Sequence, residues 1–180
     1  PAMRQRKVSH RPSKQVTFKG GQDRLAHRWF RLTPSFSPHL VADVLEKYGT
    51  STSRVLDPFS GRGTTPIECQ LRGVPCVGAE INPALHFAAT VSLNWEVDAD
   101  TLQSHAIRVV ERVRALKNSL SVSDPQKLAT HLSLQIPTIH NVYRWWRPEV
   151  LGELMLIKYA ISEPPCESPY KEALLLALTS

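Results

Sequence analysis

At 180 residues the chain is sized for one domain, or one domain with an appendage, and its 42% hydrophobic content can fill a sizeable core, which excludes wholesale disorder. The net charge of +6 is unevenly spread: nine basic residues and one acid, Asp23, give residues 1–31 a charge of +8, while the remainder carries −2. No apolar run approaches the ~20 residues of a membrane helix, and the three scattered cysteines (Cys69, Cys76, Cys166) and seven histidines form neither a disulfide framework nor a zinc cluster.

The basic N-terminus lacks the apolar stretch of a secretory signal, so a cytoplasmic setting with free thiols, no membrane contact and no metal is expected. Residues 1–26 read as a basic arm. Arg4, Arg6, Lys7, Arg11 and Lys14 suit a polyanion, most simply nucleic acid, and a solvated tail fits the charge equally well. Thr33-Pro-Ser-Phe-Ser-Pro38 is too proline-rich for a helix interior. Ser37 and Pro38 then predict an N-cap and first helical position, with apolar spacing through Tyr48 and Gly49 just beyond.

Residues 54–57 read as a short buried strand, 64–71 as a helix stopped by Gly73, and 74–80 as a second strand. Asn82-Pro83 opens a third helix running to about Leu93. Strand–helix–strand–helix is the beginning of a parallel α/β sheet. Helical spacing returns from Leu102 to Leu120, from Pro148 to Ile161, and from about Pro169 to Leu178. Trp145 and Trp146, beside Arg144 and Arg147, could stack on bases or grip phosphates, but core and rim of a helix start is the preferred reading. His86 and His105 read as structural or surface residues.

The loop after the first strand carries the most chemistry. Asp57-Pro-Phe-Ser-Gly-Arg-Gly-Thr-Thr65 is neither a Walker A cradle nor G-x-G-x-x-G. Its one acid and two glycines suit a ligand bearing an ammonium group. Asp57 can accept charge-assisted hydrogen bonds, Gly61 and Gly63 permit close backbone approach, and the helix start can receive a carboxylate. Glu80, 23 positions after Asp57, is placed to bind ribose hydroxyls with Ile81 beside a base. Ammonium, carboxylate, ribose and base together describe S-adenosylmethionine.

Residues 57–65 resemble the cofactor motif of amino-group DNA methyltransferases, which modify adenine N6 or cytosine N4. Gly78-Ala-Glu-Ile-Asn-Pro83 resembles their second cofactor motif, and residues 27–41 resemble the segment that closes over the methionine end. The resemblance is clear over residues 27–94 and weaker over 145–178. It implies a partial Rossmann-like class I methyltransferase fold, α/β with two parallel strands, followed by a helical C-terminal half. The implied organisation is a basic arm (1–26), an S-adenosylmethionine-binding α/β segment (27–98) and a helical segment (99–180). It also implies cofactor contacts from Phe36, Ser37, Asp57, Phe59, Gly61, Gly63, Thr64, Thr65, Glu80 and Ile81, with DNA as substrate and a role in restriction-modification. Arg62 falls at a variable position of the motif.

The Asp/Asn/Ser-Pro-Pro-aromatic motif that holds the target amino group in such enzymes is missing. Glu163-Pro-Pro-Cys166 has the wrong flanking residues, and Ser168-Pro-Tyr170 lacks one proline. The expectation is therefore a chain without catalytic residues of its own, inactive alone and completed by a second polypeptide or a missing segment. A related RNA methyltransferase and a non-catalytic regulatory or assembly module are the alternatives.

Overall fold

The computed structural model describes residues 16–21, 24–30, 32 and 35–179. The basic residues Arg4, Arg6, Lys7, Arg11 and Lys14 lie outside them. The chain divides into two compact units, the first ending at Leu93 and the second beginning at Asn94. Among the described residues no helix is long and apolar enough to cross a membrane.

The first unit opens with a 3-10 turn at Phe18–Gly21 and a short helix, α1 (Leu25–Arg28). An isolated antiparallel bridge pairs Thr17 with Phe36, bringing the two ends of this N-terminal segment together. Helix α2 (Pro38–Tyr48) starts as its residues dictate: Ser37 Oγ accepts from the His39 amide at 3.2 Å, and Pro38 takes the first helical position, where no N–H is needed. Strand β1 (Val55–Asp57), helix α3 (Thr64–Leu71) and strand β2 (Cys76–Gly78) then form a βαβ unit, and α4 (Pro83–Leu93) follows. The strands are parallel, with Val55 opposite Cys76 and Asp57 opposite Gly78. Helix α3 lies against α1, α2, both strands and α4, and its Ile67 and Cys69 are almost fully buried.

Two expectations for the sheet need correction. The first strand is not buried on both faces: Leu56 is 70% exposed and Val77 of the neighbouring strand 65%. Successive side chains of a strand alternate between faces, and the described residues cover only the face that carries α3. The second strand is also shorter than residues 74–80, because Pro75 has no N–H to give a ladder. Its carbonyl still accepts from the Val55 amide at 2.9 Å.

The second unit is helical: α5 (Ala99–Ser119), α6 (Pro125–His131), α7 (Pro148–Ser162) and α8 (Tyr170–Leu178). Helix α7 packs against the other three. Leu116, Leu128, Val142, Leu151, Met155 and Leu156 form the core, with Trp146 packed on it. Helix α6 is absent from the apolar periodicity, yet its start is written in the sequence. Asp124 Oδ1 accepts from the Lys127 amide at 3.1 Å, and Pro125 stands first in the helix. His105 is buried and stacked on Tyr170, with ring centroids 5.1 Å apart. Residues 163–169, which include Glu163-Pro-Pro-Cys166 and Ser168-Pro169, connect α7 to α8, so the two prolines follow a helix and not a strand.

Candidate functional site

The site is built where β1 and β2 end side by side. The ladder continues past the strands: the Ala79 amide donates to Asp57 O at 2.8 Å, and the Ser60 amide returns to Ala79 O at 2.9 Å. The Gly61 amide then donates to Glu80 Oε2 at 2.8 Å, and the Asn82 amide to Glu80 Oε1 at 2.7 Å. Glu80 thus stands just beyond β2 and staples the glycine loop to the second strand. An ionised carboxylate has about four lone-pair sites, so two remain for hydroxyl donors. Asp57 Oδ1 accepts from the Phe59 amide at 3.1 Å in a tight turn, and among the described residues its other oxygen has no partner.

The glycines have different reasons. Gly63, at φ 90°, caps α3, and a Cβ there would lie 3.0 Å from Ala89 Cβ and 3.3 Å from Ala89 Cα. It is needed for both its backbone conformation and its packing. Gly61 (φ 54°) faces open space, with nothing within 4 Å of a notional Cβ. Phe59 and Ile81 stand open beside these groups, 86% and 97% exposed. Thr64 is buried at the start of α3, Thr65 is half-buried beside it, and Ser37 is fully buried as the cap of α2. Phe36 is exposed at the bridge to Thr17. The loop and both strand ends therefore bring Asp57, Phe59, Gly61, Gly63, Thr64, Thr65, Glu80 and Ile81 together. Phe36 and Ser37 are held in the N-terminal segment of the same unit.

Two residues carry weight that motif reading does not assign them. Arg62, between the two glycines, is buried, and its Nη1 donates to the carbonyls of His27 (2.7 Å) and Phe30 (2.9 Å). Burial holds its guanidinium below the ordinary arginine value. It latches the N-terminal segment to the glycine loop. Glu68 on α3 is completely buried. Its carboxylate accepts from Arg24 Nη1 at 3.1 and 3.2 Å and from His27 Nε2 at 2.9 Å, and it is ion-paired with Arg72. Burial alone would raise its pKa, but the His27 and Arg72 hydrogen bonds and the charges of Arg24 and Arg72 bring it below the ordinary glutamate value. A polar residue on the inward face of a predicted amphipathic helix, with basic residues in the preceding segment, is the signal that could reveal it.

The acceptor groups suit a ligand that carries an ammonium group and neighbouring hydroxyls. Two acceptor groups stand at one end of the sheet, apolar side chains stand open beside them, and the loop between has room at Gly61. Burial pushes the Cys69 thiol up to about 12, so no thiolate forms behind the loop near neutral pH. Among the described residues no group of His, Cys, Asp or Glu could hold a metal ion.

The relatives of the chain are Type II methyltransferases, and the likeness covers less than half of it. It is 34% identical over 76 residues to the Type II methyltransferase M.BsoBI of Geobacillus stearothermophilus, which is 42% of this chain and 15% of that protein. It is 35% identical over 69 residues to M.AvaI of Nostoc sp. (38% and 14%) and 27% identical over 85 residues to M.MjaII of Methanocaldococcus jannaschii (47% and 16%). The matched stretch thus spans about one sixth or less of each relative's length. No family model matches the chain, and no solved structure matches it at a significant level.

Proposed function

We propose that this chain is the S-adenosylmethionine-binding part of a DNA methyltransferase that modifies an exocyclic amino group, adenine N6 or cytosine N4. In this reading residues 27–98 are a partial Rossmann-like donor-binding segment and residues 99–180 a helical one. The reading is carried by Asp57 and Glu80, held at the same end of two parallel strands around an open glycine loop. Asp57 would take the ammonium group, the start of α3 the carboxylate, Glu80 the ribose hydroxyls, and Ile81 and Phe59 the base. Bound there, the cofactor supplies an electrophilic methyl group on a sulfonium.

What this chain contributes is binding and orientation. Glu80 is preorganised by two backbone donors, so it needs no rearrangement to meet a ribose. Transfer to an amino nitrogen depends chiefly on alignment of the reacting atoms. Holding that nitrogen falls to an Asp/Asn/Ser-Pro-Pro-aromatic motif outside these 180 residues, in the same polypeptide or in a partner. The names of the relatives support methyl transfer within a restriction-modification setting. The test is incorporation of labelled methyl groups into mixed-sequence DNA. The chain alone should give none, and a complementing chain with the Pro-Pro-aromatic motif should restore it. Robust methylation by the chain alone, or restoration only on RNA, would overturn the proposal.

A further inference from the structure

The turn that leads into α7 presents a surface that folding alone does not explain. Asn141 adopts φ 51°, and the amides of Arg144, Trp145 and Trp146 return to Asn141 O, Val142 O and Val142 O at 2.9, 3.1 and 3.1 Å. Val142 is buried in the core of the second unit, and Trp146 packs against that core. With these two side chains as anchors, the residues between them are held outward. Trp145 is 69% exposed and Tyr143 46%, and Arg144 and Arg147 are exposed beside them. The two tryptophans are thus not equivalent: Trp146 is half-buried against the core, while Trp145 is displayed by a hydrogen-bonded turn.

The charge leading into this turn is one-sided, and the first acid beyond it is Glu149 in the first turn of α7. Residues 125–148 contain no Asp or Glu, and among the described residues neither Arg144 nor Arg147 meets a carboxylate. Other exposed cations of the unit are of both kinds: Arg112, Lys117 and Lys127 meet Glu163, Glu153 and Asp124, whereas Arg114 and Lys158 meet no carboxylate among the described residues, so what sets this turn apart is the displayed indole between two such arginines. Two unpaired guanidiniums flanking a displayed indole are the elements that grip a phosphate backbone and stack on bases. A protein surface docking here would have to bring its own carboxylates to both arginines.

We infer that the Tyr143–Arg147 turn is a nucleic-acid contact, with Arg144 and Arg147 on backbone phosphates and Trp145 stacked on a base of an unpaired stretch. This rests on the proposed function for its biological substrate, but the surface and its test stand apart from the methyl-donor site.

The test is a fluorescence-anisotropy titration of the 180-residue chain with labelled single-stranded and duplex oligonucleotides over a range of salt. Trp145→Ala should weaken single-strand binding about tenfold, the scale of one lost base stack, with the salt slope unchanged and Trp145→Phe restoring most of the loss. Arg144→Ala with Arg147→Ala should lower the slope of log K against log[salt] by about 1.4, two single-strand phosphate contacts. Arg114→Ala with Lys158→Ala, exposed residues of α5 and α7, is the charge-matched control for the double arginine change. Affinities within twofold of the unmodified chain for both the tryptophan and the double-arginine variants would overturn the inference and leave the turn to a protein partner. S-adenosylmethionine binding, measured on the same samples, should be unaltered. Its absence with the tryptophan effect intact would sink the proposed function and leave this surface standing.

Discussion

Replacing Glu68 by Gln should loosen the first unit by an amount that its burial makes large. The carboxylate is inaccessible to solvent and holds Arg24, His27 and Arg72 at once. Removing one partner of a buried ion pair costs roughly 3–5 kcal/mol, because the remaining charges are left unmatched. Here Arg24 and Arg72 each keep 32% of their side-chain surface in water, so they can rehydrate, and the lower end, about 3 kcal/mol, is expected. His27 is fully buried, with Nδ1 unpartnered among the described residues, and a glutamine can keep an acceptor oxygen for its Nε2 only by turning the amide NH2 toward Arg72. Native-state hydrogen exchange of the α3 amides measures the loss where it occurs. The pH dependence follows in sign. The folded pKa of Glu68 lies below its ordinary value, so its contribution is fully present above the usual glutamate range, about 4.3, and is lost as pH falls through the folded pKa. The unmodified chain should therefore lose α3 protection on that acid limb, and Glu68→Gln should flatten it. A change under about 1 kcal/mol, below the range for a broken buried pair, or an unaltered acid limb, would refute the reasoning.

Arg62→Met should release the segment around His27–Phe30, since two carbonyls lose a charged donor at roughly 1.5–3 kcal/mol each, partly offset by relief of a costly guanidinium burial. Trypsin should then cleave faster after Arg24 and Arg28, and an unchanged cleavage rate would contradict the latch. Gly63→Ala should cost about 2 kcal/mol or more, combining a left-handed backbone with a Cβ pressed against Ala89. An unshifted urea midpoint would show that the loop tolerates both.

Much of the first unit is legible in the sequence because its signals are local. Ser37-Pro38, Gly63 and Asn82-Pro83 each mark a helix boundary by their own backbone chemistry, and the helices begin where they stand. The acids of the site are legible for the same reason, since Asp57 ends one strand and Glu80 stands just beyond the other. The roles of Arg62 and Glu68 are not, because their partners, Arg72 apart, lie 32 to 44 residues away, a pairing set by tertiary packing. Exposure of Leu56 and Val77 is likewise a property of what covers a strand. Trp145 and Trp146 show the limit most plainly: two adjacent identical residues take opposite environments because one backbone turn, opened by Asn141 at positive φ, sends one to the core and the other to water.

The central claim is that the Asp57–Glu80 site binds S-adenosylmethionine, and calorimetric titration of that compound into the chain tests it most directly. The account predicts saturable binding at one site, lost with Asp57→Ala and with Glu80→Ala while α3 keeps its exchange protection. No heat of binding to the folded chain, or binding untouched by both substitutions, would contradict it.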